Sequence, residues 1–358
     1  MRTAVPTHRR APHGSPNGCT TTSAHAFVGI PNEQDDADGQ GAAVLGGTSN
    51  EACGLFAAIG AGSGNIDGAS SSFIGAGVGN GIAAAYGFVG GGAFNETTSN
   101  GAFVGGGGTT YATTSAAPTS GGNSAAAIDA FIGGGDVNQT AGPGSFIGAG
   151  GYSSAVNGQS GNQITDGGFD SFIGAGDQNQ VAGTVSFVGS GASNSVQANY
   201  AFLGGGEFNL VGAAANFAAI ASGYGNAAGA SMSFIGGGDS NNIASAGTTS
   251  QAGGQYGTIG GGFENTIDAP TANSAQAGAI GGGEKNRVDG SFATIGGGFE
   301  NVADGNLGTV PGGTRGLDGR QRVPGPRQRR RRVLLRSRDD QRRPAPARFG
   351  RVEKPQRP

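Results

Sequence analysis

Ser171-Phe-Ile-Gly-Ala-Gly-Asp-Gln-Asn-Gln-Val-Ala-Gly183 is the cleanest copy of a phrase that recurs along most of this 358-residue chain. The phrase runs aromatic or small residue, aliphatic anchor, Gly-[Gly/Ala/Ser]-Gly, two variable residues, Asn, and an aliphatic two residues later. In an extended strand the adjacent Phe172 and Ile173 point to opposite faces. The Gly174 to Gly176 group permits a tight turn, Asn179 is suited to a second, left-handed turn, and Val181 returns to the interior side. Each copy therefore predicts two short strands and two turns.

The anchors read from the sequence are Val28, Leu45, Ile59, Ile74, Val89, Val104, Ile132, Ile147, Ile173, Val188, Leu203, Ile220, Ile235, Ile259, Ile280, Ile295 and Val310. Nine of their sixteen spacings are 15 residues. A glycine-rich tract that only stayed flexible would not keep phase, so the period predicts an all-β, parallel β-solenoid of about 15-residue coils, roughly 80 Å long.

Asn stands six residues after the anchor in 12 copies: Asn65, Asn80, Asn95, Asn138, Asn179, Asn194, Asn209, Asn226, Asn241, Asn265, Asn286 and Asn301. These are read as structural turn residues whose side chains bond their own or the next coil's backbone. Phe precedes the anchor in ten copies: Phe27, Phe73, Phe88, Phe103, Phe131, Phe146, Phe172, Phe187, Phe202 and Phe234. If the aliphatics fill the narrow interior, the Phe residues stack as an outer stripe; if the placement is reversed, an apolar row is still left over. A single chain rarely exposes so long a patch, so the surplus row predicts a seam between chains.

Composition narrows the function. The chain has 77 Gly, no Trp and 13% charged residues, which fits neither an ordinary globular enzyme nor a charge-driven disordered chain. Residues 1–10 carry three Arg and no acid, residues 11–314 two bases and 20 acids, and residues 315–358 16 bases and four acids. A net charge of −3 thus hides an acidic middle and a basic end. The expected organisation is an irregular segment 1–25, β-roll repeats 26–315, and a basic tail 316–358, disordered or frameshifted. The period fails from Arg315, in mid-coil, as a GC-rich coding frame read one base off would make it fail. A real polybasic segment would instead bind nucleic acid or anionic lipid without specificity.

No Ser/His/Asp or Cys/His constellation is available, because His8, His13 and His25 all precede the repeats. The chain is accordingly read as not an enzyme, with no cofactor, no metal site and no specific nucleic-acid partner. Cys19 and Cys53 are too few for a disulfide framework and are read as thiols. Asp136, Asp177 and Asp239 follow Gly-rich turns, but the period differs from calcium-binding β-rolls, so they read as exposed turn acids. Gly-rich phrases lack the Gly-Lys-[Ser/Thr] of a phosphate loop. Asn95-Glu-Thr97 and Asn138-Gln-Thr140 match glycosylation acceptors. No run of 18 apolar residues offers a membrane-spanning helix. Spacings after Val104, Ile147, Ile235 and Ile259 are long and of loop composition, and the two longest, after Val104 and Ile147, each predict either a degenerate coil or a loop.

The phrase Ser-Phe-Ile-Gly-Ala-Gly-x-x-Asn-x-Val-x-Gly resembles the head repeat of trimeric autotransporter adhesins, the YadA-like left-handed parallel β-roll, over residues 26–315. The resemblance implies a homotrimer of side-by-side chains with aliphatic interior rows, held at a bacterial cell surface or secreted, and attached to host matrix or cells. Family heads more often use shorter, Ala-rich repeats, and the chain as written shows no heptad stalk, anchor barrel or export signal. The alternative expectation is a structural or phage tail-fibre-like trimeric β-solenoid without an adhesive role.

Overall fold

The computed structural model describes residues 26–29, 35–108, 121–151, 161–245, 253–269 and 274–318. They form a parallel β-solenoid without helices. Thirty-four two-residue strands alternate between two sheets of 17, and every strand pairs in parallel with the equivalent strand one coil away. Phe172–Ile173 pairs with Phe146–Ile147 and Phe187–Val188, whereas Gln180–Val181 pairs with Gln163–Ile164 and Ser195–Val196.

In both sheets the second residue of the strands is buried through Val310, except for the half-buried Val28 at the N-terminal end. The first sheet contributes the anchor row, with Ile74, Ile132, Ile173 and Ile235 fully buried, and the second contributes Ile82, Ile164, Val181, Val196 and Ile243. A third inward row, two residues before the anchor, holds small residues such as Ala57, Ser72, Ala102, Ser171, Ser186 and Ala201. Small side chains there let the two sheets approach, and the hydroxyls are paired. Ser171 Oγ donates to the Gly183 carbonyl at 2.8 Å and accepts from the Ser186 amide at 3.0 Å.

The Asn row is a continuous buried ladder. The Asn194 amide and Nδ2 both donate to Asn179 Oδ1, at 3.2 and 2.9 Å, while Asn179 Nδ2 donates to the Gly191 carbonyl at 2.8 Å. The ladder includes all 12 Asn read from the sequence and adds Asn50, Asn123 and Asn162. Asp35 Oδ1 accepts from Asn50 at its first rung, and at its last the Gly316 amide donates to Asn301 Oδ1 at 2.7 Å.

Several expectations are corrected. The second anchor is Val44, fully buried and paired with Val28 and Ile59, while Leu45 is exposed. The shift restores a 15-residue step to Ile59 and puts Asn50 in phase. The left-handed residue is the one before the Asn, not the Asn itself, in every coil without an insertion there: Gln178 has φ 55°, and Ser193, Phe208 and Glu300 match it. Asn is used for its amide, which supplies both donor and acceptor to the stack.

The two longest spacings add no coil to the stack: Phe103–Val104 pairs directly with Phe131–Ile132 and Phe146–Ile147 with Phe172–Ile173, and Asn95 bonds directly to Asn123. Insertions after Gly108 and Gly151 precede the Asn of their coils, whereas those after Ser245 and Ala269 follow the second strand. The period also persists beyond Arg315: Arg315 is left-handed, and Leu317–Asp318 pairs with Val302–Ala303. The basic tail from 319 and the segment 1–25 lie outside the described residues. Cys53 is disulfide-bonded, not a thiol, and Cys19 lies outside the described residues.

Candidate functional site, an outward aromatic column

The anchors fill the interior, so the residues before them form a row on the outer face of the first sheet. Register alone brings the Phe residues of that row together. Eight rings, Phe73, Phe88, Phe103, Phe131, Phe146, Phe172, Phe187 and Phe202, follow one another on successive coils. From Phe88 to Phe202 the rings are parallel within 5°, with centroids 4.6 to 5.2 Å apart. Phe73 is tilted 32° against Phe88 at 5.8 Å.

Inter-coil spacing near 4.8 Å, set by the backbone, is what permits face-to-face stacking. Each such pair contributes on the order of 0.5 to 1.5 kcal/mol beyond its buried area, so the column helps hold coil to coil. Stacking hides the ring faces but not the outer edges. Inner members are half-buried, and the end members Phe73 and Phe202 are 40% and 45% exposed. Of the seven predicted seam residues, Phe73, Phe131, Phe146, Phe172, Phe187 and Phe202 belong to this unbroken column. Phe234 stands apart from it, separated by Ala219. Toward the C-terminal end the row becomes Thr258, Ala279, Thr294 and Thr309, and toward the N-terminal end Ala43 and Ala58.

A second exposed apolar row escaped the reading of the sequence. It lies three residues before the anchor, in the turn that closes each coil, and includes Tyr86, Tyr200, Phe217, Met232, Tyr256, Phe292 and Leu307. All seven are left-handed, with φ between 56° and 62°, a conformation bulky side chains adopt at a cost. Tyr200 and Phe217 stack at 4.9 Å. The available signal was the repeated large residue at that offset, which the aliphatic anchors overshadowed.

The predicted structural Asn residues, Asn138, Asn179, Asn194, Asn209, Asn241 and Asn286, all occupy the buried ladder. Ladder burial also places Asn95 and Asn138, the two glycosylation matches, out of reach of a modifying enzyme in the folded chain. Asp136, Asp177 and Asp239, read as exposed turn acids, are all half-buried, and Asp177 and Asp239 form bridges to neighbouring coils. Near the C-terminal end exposed charges pair within and between coils: Lys285 with its neighbour Glu284 at 3.0 Å and, across coils, with Glu264 at 3.7 Å, and Arg315 with Glu300 at 2.6 Å. The bond to Glu284 holds the Lys285 amine above the usual lysine range. Such exposed pairs contribute little to stability.

Among the described residues no group of three or more His, Cys, Asp or Glu is placed to hold a metal ion, and no helix is long and apolar enough to cross a membrane. The chain matches no known protein-family profile, and no characterised protein sequence matches it.

Proposed function

We propose that this chain is the noncatalytic head or fibre segment of a bacterial surface adhesin, a left-handed β-roll that assembles as a homotrimer and attaches to host matrix or cells by many weak contacts. The observation that carries this reading is the outward Phe column, eight coils long and uninterrupted. At about 4.8 Å per coil it extends some 35 Å. Its rings already satisfy one another along the rod, but their edges present a continuous apolar strip of the kind that marks association surfaces. Packing such strips against equivalents on neighbouring chains removes them from water, and parallel association then multiplies every surface contact by the number of chains. Surface display or secretion, and the absence of a cofactor, follow from the same reading.

Two measurements test it. Sedimentation of the purified chain gives a trimer on this reading and a folded monomer against it. Binding of the assembled protein to immobilised matrix proteins and to cells separates an adhesin from a phage-fibre-like structural rod, which would assemble but not bind.

A further inference from the structure

The inward row of the second sheet carries an acid near its N-terminal end. Its occupants there run Ala37, Ala52, Asp67, Ile82 and Thr97. Asp67 is fully buried, between Ala52 one coil below and Ile82 one coil above. Its Oδ1 accepts from the Ser72 hydroxyl and, at 3.4 Å, from the Ala69 amide. Its Oδ2 is buried without a partner. No nearby cation in the coils can neutralise it, since the sequence holds no Lys, Arg or His between residues 26 and 284.

Among the described residues, the charges around it are all acids. Asp36, Glu51 and Glu96 are the outward residues of the strands one and two coils away, Asp38 is buried in a turn two coils off, and Asp35 caps the Asn ladder.

We propose that Asp67 is a pH-operated weak point in the stack: ionisation of its buried carboxyl loosens its own coil and uncouples the N-terminal coils from the rest of the solenoid. In a solenoid each coil touches only its neighbours, so one weakened interface near an end lets the short outer stack open independently. The coils of Val44 and Ile59 lie on the short side of that interface, whereas the coils from Ile74 to Val310 remain a long stack.

Burial raises the Asp67 carboxyl from 3.8 to about 6, with the bonds from Ser72 and Ala69 opposing the shift. The folded state therefore binds the extra proton between those two values. Stability of this coil is greatest below the unfolded value, falls as pH rises through about 4 to 6, and is flat above.

Hydrogen exchange on the full chain, corrected for the intrinsic pH dependence of exchange, tests the proposal. The Ala58, Ile66 and Gly68 amides, which bond between coils here, should lose roughly a hundredfold in protection between about pH 4 and pH 7. The Gly236 and Ala244 amides, far along the rod, should not follow them. Asp67→Asn should hold the protection of the first group flat. A flat profile in the unaltered chain, or an undiminished fall in the variant, overturns the proposal. Should the variant fail to fold, NMR titration of the Asp67 carboxyl in the unaltered chain decides: a midpoint near 6 supports it, and one in the ordinary carboxylate range overturns it.

Discussion

Asn179 illustrates what a single residue does in this fold. Its amide group accepts two bonds from Asn194, and donates to Asn162 and to the Gly191 carbonyl, all out of water. Truncation to Ala strands the Asn194 amide and side chain as well as removing a partner, so Asn179→Ala should cost roughly 2 to 4 kcal/mol, read by denaturant unfolding. Glycine positions are equally particular. Gly176 has φ +108°, and a Cβ there would collide with the Gly191 carbonyl oxygen of the next coil, so Gly176→Ala should destabilise severely. Two residues on, Gln178 is left-handed with a side chain already in place, and Gln178→Gly should be neutral or mildly stabilising, because relief of the left-handed conformation offsets the lost chain stiffness. The pair, measured together, separates a steric requirement for Gly from a conformational preference. The sequence announced the Asn row by its fixed offset, yet it could not say which neighbour turns left-handed, since Ser, Gln, Phe, Glu and Val all do so once the ladder holds them.

At the scale of the element, a two-residue strand has no independent stability, and what organises these strands is their repetition in register. The Phe column is a product of that repetition, and it combines two roles that substitution can separate. Replacing Phe131, Phe146 and Phe172 together by Ser should leave the β signal in circular dichroism intact while lowering the unfolding midpoint, because the interior anchors are untouched. On the proposed reading the same variant should sediment as a single chain. Retention of the trimer would place the seam elsewhere, with the exposed turn row of Tyr200, Phe217 and Met232 as the next surface to alter. The outward placement of Phe was legible once Ile, Val or Leu was assigned to the interior. The position of Val44 was not, because Val44 and Leu45 are both aliphatic and only the pairing of Ala43–Val44 with its neighbours at Val28 and Ile59 decides between them.

For the molecule as a whole, phase matters more than length. Removing Phe187 to Ala201 takes out one complete 15-residue copy, joins Ser186 to Phe202, and brings Asn179 next to Asn209. The shortened chain should fold, with a denaturant slope reduced by about one coil's share of exposed surface. Removing only Phe187 to Asn194 should not fold locally, since the next strand would then arrive on the wrong sheet. Circular dichroism and unfolding curves for the two deletions distinguish them. The closing turn tolerates small changes, as the 17-residue step from Leu203 to Ile220 shows.

The amino-acid sequence by itself determined the solenoid, its period, its two strands per coil, its Asn row and its aromatic row. All of these are one-dimensional patterns, and a stack of near-identical coils preserves them unchanged in space. Only the tertiary structure decided which of two adjacent aliphatics is the anchor, which turn residue is left-handed, where the insertions leave their coils, and that Asp67 lies buried without a countercharge among the described residues. Those outcomes depend on contacts between coils, where one residue's position is set by the carbonyls and side chains of the copies above and below it.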